Sequence, residues 1–183
     1  MKRLTALLIV LPSAALAHIG HDEGSVSAGF AHPFGGADHL LAIVVLGLLA
    51  AQAGGSALWA LPCAFVAAML AGAVGGAYGL GFPAVEPVIL ASVIVMGAAV
   101  ALAARRTVPE MAALAALFGF AHGWAHGAEG PLTGLPLYMA GVALATVGLH
   151  LAGVVAGRVM AQTTLQLSGA IAGVAGLALV VLP

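Results

Sequence analysis

Long apolar runs alternate with short breaks that hold most of the glycine, proline and charged residues of the chain. A helix needs roughly 20 mostly apolar residues to cross the hydrocarbon core of a bilayer, and six runs approach or reach that length. The predicted spans are 34–53, 56–78, 86–104, 109–127, 134–157 and 163–182. The pattern therefore predicts an all-α membrane protein, a bundle of six transmembrane helices that forms one domain over residues 18–183.

The first seventeen residues have the regions of a cleaved signal peptide. Lys2 and Arg3 precede an apolar run, and Ala15-Leu16-Ala17 is a small-x-small cleavage site. This run is shorter than a membrane span requires. We therefore expect cleavage before His18, which places the mature N-terminus outside the cytoplasm; an uncleaved first span is the alternative.

Composition supports a lipid environment. Hydrophobic residues make up 63% of the chain and charged residues 6%, whereas about a quarter of the residues in soluble domains are charged. The bilayer is thus the main surrounding, and no nucleic-acid partner is expected. With an outer N-terminus and six spans, Arg105, Arg106 and Arg158 fall in cytoplasmic loops, as basic residues prefer. The predicted location is the bacterial inner membrane, with the mature N-terminus in the periplasm.

Three glycine pairs have the spacing that lets transmembrane helices approach closely. They are Gly72/Gly76, Gly153/Gly157 and Gly169/Gly173. Such pairs predict that the spans pack as one tight bundle.

The first polar group lies at the outer start of the first span. If Pro33 is the first helical residue, His32 caps the helix and lies seven residues from His39, on nearly the same face. Imidazole is a good ligand for Ni, Cu, Zn or Co, and Asp38 would either ligate the metal or hold the second ring nitrogen. A helix-capping cluster at the water interface is the alternative.

The second polar group lies at the outer end of the fourth span. His122 and His126 are four residues apart and share a helix face, which Glu129 continues. Gly123 stands where a zinc protease of the HExxH type has its glutamate. A pair of interfacial histidines beside Trp124 is the alternative to a metal site.

Four further residues are weaker candidates. Glu86 either belongs to the pathway or only stabilises a helix N-terminus, and His18 and His21 either collect metal or belong to a solvated tail. His150 lies about 24 Å along the fifth span by helix rise. It is either a metal-binding position toward the cytoplasmic side or an interior histidine whose ring nitrogens are hydrogen-bonded within the protein. Since it has no acidic partner in its span, its loss is expected to impair transport less than loss of His122.

Both histidine motifs fall at the same end of their predicted spans. Ionisable groups are costly in lipid unless they face one another, water or a metal, so we expect both motifs to converge on one site. Such a site would pass a divalent metal between imidazole and carboxylate ligands without any permanently bound cofactor. The chain has no GxxxxGK[ST] motif, so it does not use ATP itself.

At His32-x5-Asp38-His39 and His122-Gly123-x2-His126-Gly127-x-Glu129 the sequence resembles the HupE/UreJ family of hydrogenase- and urease-associated membrane proteins. The resemblance extends over nearly the whole chain. It implies a nickel permease rather than an enzyme, with hydrogenase or urease maturation proteins as partners. It also implies that the residues of both motifs serve transport.

The ligand types leave selectivity against Co²⁺, Zn²⁺ and Cu²⁺ open. Two other functions compete with transport: an intramembrane zinc hydrolase, and an accessory protein that delivers nickel without transporting it.

Overall fold

The computed structural model describes residues 23–181, and this part is built of helices. The α-helices are α1 (Val26–Ala31), α2 (Ala37–Ala53), α3 (Ala57–Ala77), α4 (Val85–Ala101), α5 (Val108–Glu129), α6 (Leu135–Val159) and α7 (Gln162–Val181). A short 3-10 turn, His32–Phe34, joins α1 to the region before α2. The predicted signal peptide and the candidates His18 and His21 lie outside the described residues.

Helices α2 to α7 each cover one of the six predicted spans, with ends that agree within three residues. By length and composition, however, three described helices, or four with a bent pair, qualify as membrane spans, so six crossings are not confirmed. By length and composition, α3, α6 and α7 are clearly able to cross a membrane. Helix α4 is apolar but has only 17 residues, which corresponds to about 25 Å at the rise of an α-helix. The segment Val26–Phe34 and α2 qualify only when taken together, as a span that is broken by a bend of 85°.

The expectation that Pro33 begins the first long helix, with His32 as its cap, is wrong. Pro33 does not begin a long helix; it is buried within the 3-10 turn, and α2 starts only at Ala37. His32 therefore caps α1 through its backbone rather than capping α2. The cause is local: Gly35 and Gly36 follow the turn, and Gly36 adopts an extended conformation as the N-cap of α2, which interrupts a continuous helix.

The helices associate through glycines, as the spacing predicted. The main pairs are α3 with α5, α2 with α6 and α4 with α7. A side chain at Gly72 or Gly76 would overlap the backbone of α5, and one at Gly153 would overlap the backbone of α2. The glycines thus allow close contact between helix backbones. Such packing holds helices together in lipid, where the hydrophobic effect does not drive their association.

Helix α5 contributes a further glycine series, which makes its own contacts with α3. Gly119, Gly123 and Gly127 follow one another every four residues, and a Cβ on any of them would overlap the backbone of α3. Residues four apart share a helix face. Helices α3 and α5 are therefore pressed together along three successive turns.

These contacts fix the relative directions of the helices. Gly119 lies at the level of Phe65 and Gly127 at that of Ala73, so α5 runs parallel to α3. Gly47 and Gly153 show in the same way that α2 and α6 are parallel, whereas α7 runs antiparallel to α4. Successive helices thus alternate in direction, which places the start of α2 and the end of α5 together at one end of the bundle, called here the histidine end.

The opposite end carries the described arginines and is called here the arginine end. A cavity of about 620 Å³ opens there, between the end of α2, the α4–α5 loop and the start of α7. Gln52, Arg105, Arg106 and Gln162 contribute to its walls. The two ends therefore differ sharply in charge, as the sequence indicated.

Candidate metal centre

Four histidines meet at the histidine end. Their ring centroids are separated by 4.8 Å for His32 and His126, 4.9 Å for His39 and His122, 5.0 Å for His39 and His126, and 6.1 Å for His32 and His39. We call these four residues the histidine cluster. The two motifs, which are more than eighty residues apart in the sequence, thus converge as predicted.

The bend before α2 brings His32 into the cluster. In a continuous helix, residues seven apart would be separated by about 10.5 Å along the axis. The bend of 85° turns α1 across the end of the bundle, where Gly29 lies against the backbone of Tyr138 in α6. As a result the ring of His32 lies 6.1 Å from that of His39 and 5.6 Å from that of Tyr138.

The glycine series of α5 positions the other two histidines. His122 and His126 each precede one of these glycines, so their side chains leave the helix beside the face that packs on α3. Both are almost fully buried, with 1% and 2% of their surface exposed. They share one neighbour, because both rings contact His39, and His126 also contacts His32.

A hydrogen bond fixes the tautomer of His122. Its Nδ1 lies 2.8 Å from the carbonyl oxygen of Phe118, one turn earlier in α5. Since a carbonyl oxygen only accepts, Nδ1 carries the proton and Nε2 carries the lone pair. That Nε2 is buried and has no hydrogen-bond partner in the described part of the chain.

An acidic neighbour fixes the tautomer of His39 in the same way. Its Nδ1 lies 3.1 Å from Oδ1 of Asp38, so the ring donates to the carboxylate and again leaves the lone pair on Nε2. This Nε2 is likewise buried and unpartnered among residues 23–181. A carboxylate or carbonyl on the far ring nitrogen is the usual support of a metal-binding histidine, because it orients the ring and raises its basicity.

The spacing of the rings suits a shared ion, but their orientation does not yet form a site. With metal–nitrogen distances of about 2.0–2.1 Å, two imidazoles on one ion have centroids about 5 Å apart. The contacts of His39 with His122 and His126 match that separation. Within the described residues, however, no three His, Cys, Asp or Glu side chains are placed to hold one ion together. Binding therefore requires ring rotations within the cluster.

The carboxylates of the other candidates are not in contact with the cluster. Glu129 is exposed at the end of α5 and Glu86 is exposed in the first turn of α4. Neither forms a hydrogen bond or ion pair with another residue in 23–181. Both lie at the histidine end, where they add negative charge around the approach to the cluster.

His150 lies deeper in the bundle, fully buried on α6. Neither of its ring nitrogens has a hydrogen-bond partner in the described part of the chain. Its ring packs against Phe65 at 5.2 Å, and Phe65 packs against His122 at the same distance. Phe65 could not be recognised from the sequence, because a phenylalanine within an apolar run looks like any other core residue.

Comparisons with known proteins identify the family of the chain. The sequence pattern of the family described as "HupE / UreJ protein" matches residues 6–179. The chain belongs to the HupE/UreJ family. Among curated proteins, "Protein HupE" of Rhizobium leguminosarum bv. viciae is 39% identical over 187 aligned residues, covering 97% of this chain and 95% of that protein.

No solved structure matches the chain. Membership identifies it as a membrane protein of a family that is accessory to hydrogenase or urease, which agrees with its apolar helices.

Proposed function

We propose that this HupE/UreJ protein transports a divalent transition metal, Ni²⁺ before Co²⁺, Zn²⁺ or Cu²⁺, across the bacterial inner membrane for hydrogenase or urease maturation. The family is associated with nickel and cobalt transport. One structural observation carries the proposal: the rings of His39 and His122 lie 4.9 Å apart, both Nε2 atoms are buried without a hydrogen-bond partner among the described residues, and both Nδ1 atoms lie against acceptors.

The chemistry of the cluster suits passage rather than permanent storage. Neutral imidazoles replace part of the water shell of the ion, and Asp38 offsets its charge from behind His39. A transported ion must bind well enough to enter and weakly enough to leave. The ring rotations that binding requires cost free energy, which lowers the affinity of the cluster and favours release of the ion.

The proposed placement in the membrane follows the distribution of charge. In the proposed arrangement the chain has six spans, the histidine end lies in the periplasm and the arginine end lies in the cytoplasm. Arg105, Arg106 and Arg158 then lie in cytoplasmic loops, where basic residues are retained. A signal peptide over residues 1–17 would deliver the mature N-terminus to the periplasm, where His18 and His21 would collect metal. The Asp38, Glu86 and Glu129 carboxylates would then attract cations from that side.

Uptake of radiolabelled nickel tests the proposal in cells that lack their own nickel permeases, with cobalt and zinc as competitors. We expect the wild type to accumulate nickel, and His39→Ala and His122→Ala to lose most of the uptake at unchanged abundance in the membrane. Gly148→Ala is the control, because nothing lies within 4 Å of a side chain added there. Accumulation no greater than in cells with an empty vector would exclude transport and favour a delivery role.

A further inference from the structure

His150 lies in the middle of the bundle, beyond the histidine cluster. Its carbonyl lies against Gly47 of α2, which is eight residues further along that helix than His39. At the rise of an α-helix this places His150 about 12 Å deeper than His39. The side chain has no exposed surface, so water at the histidine end does not reach it in this conformation.

The surroundings of His150 do not explain why a histidine is there. Buried polar atoms in proteins nearly always have partners, yet both Nδ1 and Nε2 of His150 have none among the described residues. The main aromatic contact is the ring of Phe65, nearly perpendicular at 87°. An apolar side chain would fill this space without leaving polar atoms unpaired, so packing alone does not account for the residue.

Phe65 connects His150 to the cluster. Its ring lies 5.2 Å from the rings of both His122 and His150, so the two histidines are separated by at most twice that distance. Phe65 itself is fully buried. Its ring therefore contacts both imidazoles, and each of these has a ring nitrogen without a hydrogen-bond partner among the described residues.

A hydroxyl and a thioether lie on the same two helices, α6 and α3, one turn nearer the cluster. The hydroxyl of Thr146, on α6, donates to the sulfur of Met69, on α3, at 3.9 Å. Thr146 precedes His150 by one helical turn and Met69 follows Phe65 by one turn. A hydroxyl and a thioether, both fully buried, are groups that an ion of this class tolerates during passage.

We propose that His150 is a second binding station for the transported divalent cation, and that the Phe65 ring is the movable barrier between this station and the histidine cluster. The ion leaves His122, the ring of Phe65 rotates aside, and a nitrogen of His150 takes the place of an imidazole of the cluster. This inference rests on the proposed function. It replaces the sequence-based expectation that His150 matters less than His122.

Nickel stoichiometry tests the station independently of transport. Purified protein in detergent is dialysed against radiolabelled Ni²⁺, with no other ligand present. We expect His150→Phe, which keeps an aromatic ring of similar size, to bind one nickel ion fewer per chain than the wild type. Gly148→Ala on the same helix should match the wild type. If His150→Phe is not monodisperse, His150→Gln replaces it, because an amide remains polar but is a much poorer ligand.

Reconstituted vesicles separate this inference from the proposed function. With His150→Phe we expect nickel entry to fall by about tenfold or more, while nickel still binds at the cluster and is removed by external EDTA. With Phe65→Ala, nickel held at His150 should also become removable by EDTA, whereas in the wild type it is protected. The chelator does not cross the membrane.

A wild-type protein that admits no nickel would contradict the proposed function itself. Wild-type transport together with unchanged stoichiometry and entry in folded His150→Phe would overturn only the second station. Equal protection from EDTA in Phe65→Ala and the wild type would overturn the barrier role of Phe65.

Discussion

At the scale of single residues, Asp38 matters through His39. Its carboxylate accepts the Nδ1 proton of His39 and so keeps the lone pair on Nε2. Replacing such a supporting group lowers metal affinity by about 10–100-fold. We therefore expect Asp38→Ala to weaken nickel binding by that factor in equilibrium dialysis, and Asp38→Asn to weaken it less, because the amide oxygen still accepts the hydrogen bond.

The matched control for Asp38→Asn is Glu110→Gln. It removes one negative charge at the arginine end, where Glu110 belongs to the capping box with Thr107, and glutamine retains the capping hydrogen bond. Nickel affinity should be unchanged in this variant. An equal loss in both variants would show that total charge, rather than support of His39, determines the affinity.

His39 and His122 should also behave as one unit. Residues that share a ligand or a network show coupling energies of about 0.5–3 kcal/mol, whereas distant residues act additively. Their rings are 4.9 Å apart, so His39→Ala combined with His122→Ala should bind nickel scarcely more weakly than either single variant. Equilibrium dialysis of the two single variants, the double variant and the wild type gives a double-mutant cycle. Strictly additive losses of nickel-binding free energy would indicate separate sites.

At the scale of helices, the position of His122 depends on the contact between α3 and α5. Any side chain at Gly123 would overlap the backbone of Met69, and overpacking of this kind costs about 1–3 kcal/mol. We expect Gly123→Ala to lower the thermal midpoint and to reduce nickel binding, because the helices must separate. Gly148→Ala removes a helical glycine without any overlap, so its midpoint should stay the same or rise slightly; equal midpoints in the two variants would contradict the argument.

The helices themselves were predictable because a membrane span is defined by a local property, the length of an apolar run. Hence the ends of α2 to α7 lie within three residues of the predicted boundaries. The break between α1 and α2 was missed, although Gly35-Gly36 after Pro33 was a local signal for it. The 85° bend at this break is what changes the position of His32.

The site was predictable only in part, because contacts between helices are not local. Polar residues in apolar runs identified the four histidines of the cluster and suggested that they meet. The sequence did not show that Glu129 would be exposed while Phe65 would contact both His122 and His150. These facts depend on the rotation of each helix about its axis, which the glycine contacts set.

At the scale of the whole molecule, apolar side chains cover the outside and the polar side chains of the spans turn inward. Large exposed residues such as Leu151, Ile171 and Val174 lie on the outer faces of α6 and α7, whereas His122 and His150 are buried. This distribution of apolar and polar side chains is the reverse of that in a soluble protein. It is expected in a bilayer, because ionisable groups within membrane spans face the bundle interior. The buried polar side chains of the described helices therefore lie in the centre of the bundle, between two ends of opposite charge.

The orientation of those two ends can be measured directly. Ala128 is exposed at the histidine end and Thr107 at the arginine end. We expect Ala128→Cys to react with an impermeant thiol reagent in intact cells and Thr107→Cys to react only after lysis, because the arginine loops should face the cytoplasm. Both changes are made in a Cys63→Ser background, since Cys63 is an exposed free thiol. Labelling of Thr107→Cys alone in intact cells would reverse the proposed direction, and the carboxylates at the histidine end would then draw cations from the cytoplasm.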